Sequence, residues 1–178
     1  PVRGGTTNLG TITAAPSVGS RFPGQLIPMP VFPQAVHLAD ATGDAIPDLL
    51  VSLQPPENRV ALYQGSGDGT FEHLHSIPVT RPIEIVTGNV NGDALLDVGV
   101  NSGELDNQFA LFVGDAADTF VPSTTITTTG AIQHAIAADL NNDTFDDFAI
   151  AIQFSRFVVY LSDGNGGLDE GTDYPTGN

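Results

Sequence analysis

One pattern returns three times at nearly constant spacing, and it limits what this chain can become. A loop of alternating oxygen-bearing side chains begins at Asp40, again at Asn89 and again at Asp139, in steps of 49 and 50 residues. The flanks repeat as well. Apolar runs follow each loop at Arg59–Tyr63, Gln108–Phe112 and Arg156–Tyr160. A turn rich in Gly and Asp comes next, then a large apolar residue at Phe71, Phe120 and Leu168. Self-similarity at such a period marks a stack of small units that cannot bury their faces alone.

Each unit reads as four short strands, in the first case about 35–39, 48–53, 59–64 and 72–79, separated by Gly, Pro, Asn and Asp clusters. The Thr-rich stretch Ser123–Thr129 aligns with His75–Arg81 and is therefore a strand, not a linker. No window carries a capped amphipathic helix. The expectation is an all-β chain of β-propeller blades. Repeats are expected at 34–82, 83–132 and 133–178, with 1–33 as the tail of a preceding blade; Phe22 lies 18 residues before Asp40, matching the Phe71-to-Asn89 distance. Three units and a part do not close a propeller, so either the chain is a piece of something longer or copies associate to cover the open edges. The opening Pro1-Val2-Arg3-Gly4-Gly5 has no apolar leader segment and reads as processed or cut from a longer chain.

The loops carry the chemistry. Positions 1, 3, 5 and 9 are Asp40, Thr42, Asp44 and Asp48; Asn89, Asn91, Asp93 and Asp97; and Asp139, Asn141, Asp143 and Asp147. The carbonyls of position 7, at Ile46, Leu95 and Phe145, add one more oxygen each. A hard cation takes six to eight oxygens, so calcium fits, with up to three Ca2+ sites. Without cysteine in the chain or histidine in a loop, zinc and copper do not. An EF-hand is excluded: position 12 is Val51, Val100 or Ile150 inside a strand pattern, where that motif needs a Glu and flanking helices. The competing reading is plain Asx turns, in which Asp and Asn bond the backbone with no metal. Ligand charge ranks the expected affinities as third loop, first, second.

The run D-x-[DNT]-x-D-x-x-x-D, followed by apolar strand, turn and Phe, resembles the FG-GAP/VCBS-type repeats and the calcium-bearing blades of integrin α-subunit propellers and related lectins. The resemblance covers roughly residues 8–176. It implies calcium in the hairpin joining the first two strands of each blade, and a secreted or cell-surface setting. Position 6 of such loops is usually Gly; here it is Ala45, Ala94 and Thr144.

Charge narrows the partners. Five basic residues, all Arg, against 21 acidic ones leave a net charge of −16. That balance excludes nucleic acid, which demands a basic surface, and docking on an anionic membrane. No apolar run is long enough for membrane insertion as a helix. Four histidines, His37, His73, His75 and His134, do not share repeat positions. His73 and His75 are expected on one face of a strand. Asn142-Asp143-Thr144 fits a glycosylation sequon but sits within a metal loop. No nucleophile elbow or zinc-protease motif occurs, so the chain is expected to be non-catalytic. The functional expectation is adhesion or ligand recognition, toward a protein or a glycan on a cell surface or matrix. Few aromatics, with no Trp, weigh against glycan. The alternatives are a structural subunit of a calcium-dependent surface assembly and a propeller of a secreted carbohydrate-active enzyme.

Overall fold

A computed structural model describes residues 26–102, 107–116, 118–153 and 156–176. Phe22 and most of the expected leading blade lie outside the described residues. Among these residues twelve strands form three four-stranded antiparallel sheets, each in simple meander order. The first sheet holds β1 (Pro33–Ala39), β2 (Asp48–Leu53), β3 (Arg59–Gly65) and β4 (Phe71–Pro78). The second holds β5 (Pro82–Gly88), β6 (Asp97–Ser102), β7 (Gln108–Ala116) and β8 (Thr119–Thr127). The third holds β9 (Ile132–Ala138), β10 (Asp147–Ile152), β11 (Arg156–Tyr160) and β12 (Thr172–Pro175). Among the described residues there is no helix, and the Thr-rich stretch is a strand.

The sheets stack face on face, with β1, β5 and β9 side by side at the inner edge. This is an open run of β-propeller blades. The first interface buries Leu50, Val60, Leu62 and Ile77 of the first sheet against Ile85, Val98, Val100 and Phe112 of the second. The second interface buries Val86, Phe109 and Leu111 against Ile132, Phe148, Ile150 and Val158. Phe109 and Phe148 meet edge-on, 5.0 Å between centroids. Every residue of β6 is buried, because a middle blade has no solvent face. Gly99 is required there: a Cβ would lie 2.3 Å from the Phe109 ring.

The large apolar residue of each unit wedges toward the preceding element. Phe120 joins the first interface and Leu168 the second. Phe71 joins a third cluster, in which Ile27, Met29 and Val31 cover Val51, Leu53, Ala61 and Tyr63. The extended segment before β1 thus caps part of the first blade's free face.

One expectation fails. His75 pairs with Leu62 but His73 pairs with Tyr63, so a bulge at Leu74 intervenes. Leu62 and Tyr63 belong to opposite faces of the sheet, and the two histidines follow them. His73 packs edge-on to Tyr63, 5.3 Å between centroids, and the pair cannot share a metal.

Candidate metal centre

All three loops adopt the same backbone. Positions 4 and 6 are left-handed in each: Gly43 and Ala45 at φ 75° and 65°, Gly92 and Ala94 at 73° and 66°, Asn142 and Thr144 at 66° and 80°. The turn that usually takes Gly at position 6 is made without it, at the steric cost of holding a Cβ there.

The sites divide into a rim and a pin. Position 1 caps the turn. Asp40 accepts the amides of Gly43 (2.7 Å), Asp44 (3.1 Å) and Ala45 (2.8 Å). Asp139 accepts those of Asn142, Asp143 and Thr144 in the same way, and Asn89 accepts Gly92 at 2.7 Å. Position 5 accepts the amide of position 7: Ile46 to Asp44 at 2.8 Å, Leu95 to Asp93 at 2.9 Å and Phe145 to Asp143 at 2.9 Å. In the second and third loops the position-3 amide donates to the position-5 carboxylate, Asn91 to Asp93 and Asn141 to Asp143, both at 2.8 Å. These are the bonds of Asx turns. They also hold the oxygens of positions 1, 3 and 5 on the loop's own short arc, with Asp40, Asp44, Asp93, Asp139 and Asp143 open to solvent.

Position 9 is different. Asp48, Asp97 and Asp147 are fully buried. Asp48 takes the amides of Ala41 and Thr42 on one oxygen and that of Gly65 on the other, all at 2.9 Å. Asp97 takes Val90 at 2.7 Å and Gly114 at 2.9 Å. Asp147 takes Leu140 at 3.0 Å and the amide and hydroxyl of Ser162 at 2.9 and 3.3 Å. Each therefore ties its loop to the far end of the blade's third strand or, at Ser162, just beyond it. Burial pushes the Asp97 carboxyl above the ordinary carboxylate range, against the pull of its two amides. The donors at Gly65 and Gly114 escaped the sequence reading, although both follow the position-9 Asp by 17 residues. A Cβ at Gly65 would lie 2.2 Å from the Pro47 carbonyl and one at Gly114 2.7 Å from that of Leu96, so that spacing is a packing requirement.

Positions 1, 3 and 5 are thus brought together, and position 9 sits beneath them on the blade's backbone. The position-7 side chains pack inward: the Phe145 ring lies over Gly92 and Gly164, and Ile46 over Gly65 and Gly67. Among the described residues no three His, Cys, Asp or Glu side chains form a ready metal cluster. A second residue missed in sequence is Asp146, which takes the Asn89 amide at 2.8 Å and returns its own amide to the Asn89 carbonyl at 2.8 Å. It locks the third loop to the second across the blade interface.

One atom fits a cation better than it fits the apo loop. Thr42 Oγ1, at position 3 of the first loop, is buried with no hydrogen-bond partner. Its counterparts are the amides that bond Asp93 and Asp143. An orphaned buried hydroxyl is costly unless something coordinates it. The donor set of carboxylate, amide, hydroxyl and carbonyl oxygens suits a hard cation, so the residues fit calcium.

No family model matches the chain, and no curated protein matches it. Solved structures do match. The mercury-soaked crystal of BBS1N in complex with ARL6DN has a TM-score of 0.57 at 11% identity, covering 82% of this chain and 46% of that one. The lead-soaked crystal of the same complex gives 0.55 and 11%, with 79% and 44% covered. At that identity the likeness speaks for the β-propeller fold alone. The chain spans less than half the length of those solved chains.

Proposed function

We propose that the chain is a non-catalytic, calcium-binding set of propeller blades of the FG-GAP/VCBS type, acting outside the cell as a binding surface for a protein partner. The observation that carries the metal is the unpartnered Thr42 hydroxyl on a loop whose remaining oxygens are carboxylates and backbone carbonyls. Three loops of one backbone form supply oxygen-bearing side chains at the same positions. Calcium bound there would neutralise the crowded rim charges and hold the rim in register with the pin, stabilising the blade.

Recognition of a protein is favoured over a glycan. The solved neighbour is itself in a protein complex. The chain's three tyrosines and absent tryptophan leave few aromatic platforms. Enzymatic chemistry has no support at the one Ser–His contact near a cavity among the described residues. His73 Nε2 lies 3.0 Å from Ser76 Oγ, but that oxygen also accepts from the Arg59 guanidinium at 3.1 Å, which opposes its activation as a nucleophile. No described helix is long and apolar enough to cross a membrane.

Thermal unfolding with calcium and then with chelator tests the metal. Calcium at a hundred times its Kd should add about 2.7 kcal/mol of stability. Asp139→Ala with Asp143→Ala should remove the largest share, following the ranking of third loop, first, second. Unchanged melting with calcium sinks the reading.

A further inference from the structure

We propose that the bare face of the third blade docks the inner strand of the first blade of a second copy, so that two chains associate head to tail. This is independent of the calcium reading. In the first two blades the corresponding face is sealed. Leu50, Val60 and Leu62 lie under the second blade and Phe109 and Leu111 under the third, all at 0–1% exposure. In the third blade the equivalent residues are Ala149, Ala151, Phe157 and Val159, joined by Ile136. Ile136, Ala149, Ala151 and Phe157 line an apolar groove of about 290 Å³ with His134, and Phe157 stacks on Tyr174 with nothing above them among the described residues. Ile136 is 52% exposed and Phe157 37%.

The register of the two existing interfaces names the next contact. The residue three before each loop start faces the residue two before the next loop start. In the first interface that pair is His37 and Thr87, bonded at 2.9 Å. In the second it is Val86 and Ala137, packed together. Continued once more, it is Ile136 and, returning to the first blade, Leu38. Both are apolar and open, Leu38 at 61% exposure with Val36 beside it at 65%. Among the described residues, segment 26–31 covers the middle of that blade's free face and leaves β1 open, so the contact centres on Val36 and Leu38.

One chain carries both halves of this contact, on different surfaces. Such an interface is heterologous, and it ends either in a closed ring or in an open filament. Closure at two suits the propeller fold: two copies of three described blades make six, within the usual range of about four to eight. The net charge of −16 per copy opposes association, so salt should strengthen the dimer.

Sedimentation equilibrium of the full chain in moderate salt tests this. The expected mass is twice the 18.5 kDa of one chain. Ile136→Lys and Leu38→Lys, both at exposed positions and checked for folding by circular dichroism, should each weaken association at least tenfold. The chain has no cysteine, which allows a direct test of register. Ile136→Cys protein mixed with Leu38→Cys protein should crosslink on oxidation, while Ile136→Cys alone should not. A monomer at every concentration, a dimer indifferent to Ile136→Lys, or crosslinking of Ile136→Cys to itself overturns the proposal; the first of these would hand the face to a different partner.

Discussion

The two tiers of each loop are built from the same residue type and do opposite work. Asp40, Asp44, Asp93, Asp139 and Asp143 stand on the rim in solvent. Asp48, Asp97 and Asp147 are sealed inside. A rim carboxylate bonds mainly amides of its own short loop, Asp44 adding an exposed bond from the Gln64 side chain at 3.3 Å, and water replaces those bonds at little cost. A buried one is the sole satisfier of amides from two distant stretches of chain, and nothing replaces it. The pin therefore belongs to the fold whether or not a cation is bound, and the rim is what the proposed cation would use. A carboxylate repeated at fixed spacing is thus not one signal but two.

The sharpest way to break this division is to delete one acid from each tier of the third loop. Asp147→Ala strands the amides of Leu140 and Ser162 and the Ser162 hydroxyl inside the blade. It should cost roughly 2–4 kcal/mol, with calcium or with chelator alike. Asp143→Ala, in chelator, should change stability by no more than about 0.5 kcal/mol, as exposed substitutions do. Urea unfolding of both variants in both conditions measures it. Equal costs in chelator would erase the distinction.

The blades were legible in sequence because apolar runs, turn residues and the loop recur in one register. Strand β2 falls where expected, at 48–53, and β1 and β3 differ by a residue or two at their ends. What escaped was what a linear pattern does not encode. The bulge at Leu74 breaks the alternation on which the His73–His75 pairing relied. Asp146, outside the loop positions singled out in sequence, reaches across to Asn89 of another blade. Position 9 reads as one more oxygen at ligand spacing, and spacing does not reveal that its carboxylate also gathers amides from two stretches of chain. The Asp-to-Gly interval of 17 residues held the clue, since only a close backbone approach demands that glycine.

A smaller effect probes the rim alone. Thr144 sits at φ 80° with a β-branched side chain, and Ala45 and Ala94 hold the same position at 65° and 66°. Removing the Cβ relieves about 1–2 kcal/mol of strain, offset in part by the greater freedom of Gly in the unfolded chain. Thr144→Gly should therefore stabilise the apo protein by about 0.5–1 kcal/mol and Ala45→Gly by less. Gains of this kind with unaltered pin residues would show the rim to be strained independently of what lies below it. A loss on Thr144→Gly would mean that the threonine makes a compensating contact in the folded state.

The finest distinction lies within the pin, and pH exposes it. Asp97 is held above the ordinary value of 3.8 because burial disfavours its anion more than two amides favour it. The folded state then binds more protons than the unfolded state across the interval between the two values. Stability from this group is complete below 3.8 and is lost as pH rises through the folded value. Asp97→Asn removes that titration and keeps one acceptor oxygen for the amides of Val90 and Gly114. Its penalty, measured by urea unfolding in chelator, should be greatest in acid and shrink toward neutral pH. A penalty that instead grows with pH would mean the amides win over burial, and that the pin holds its blade as an anion with no cation present.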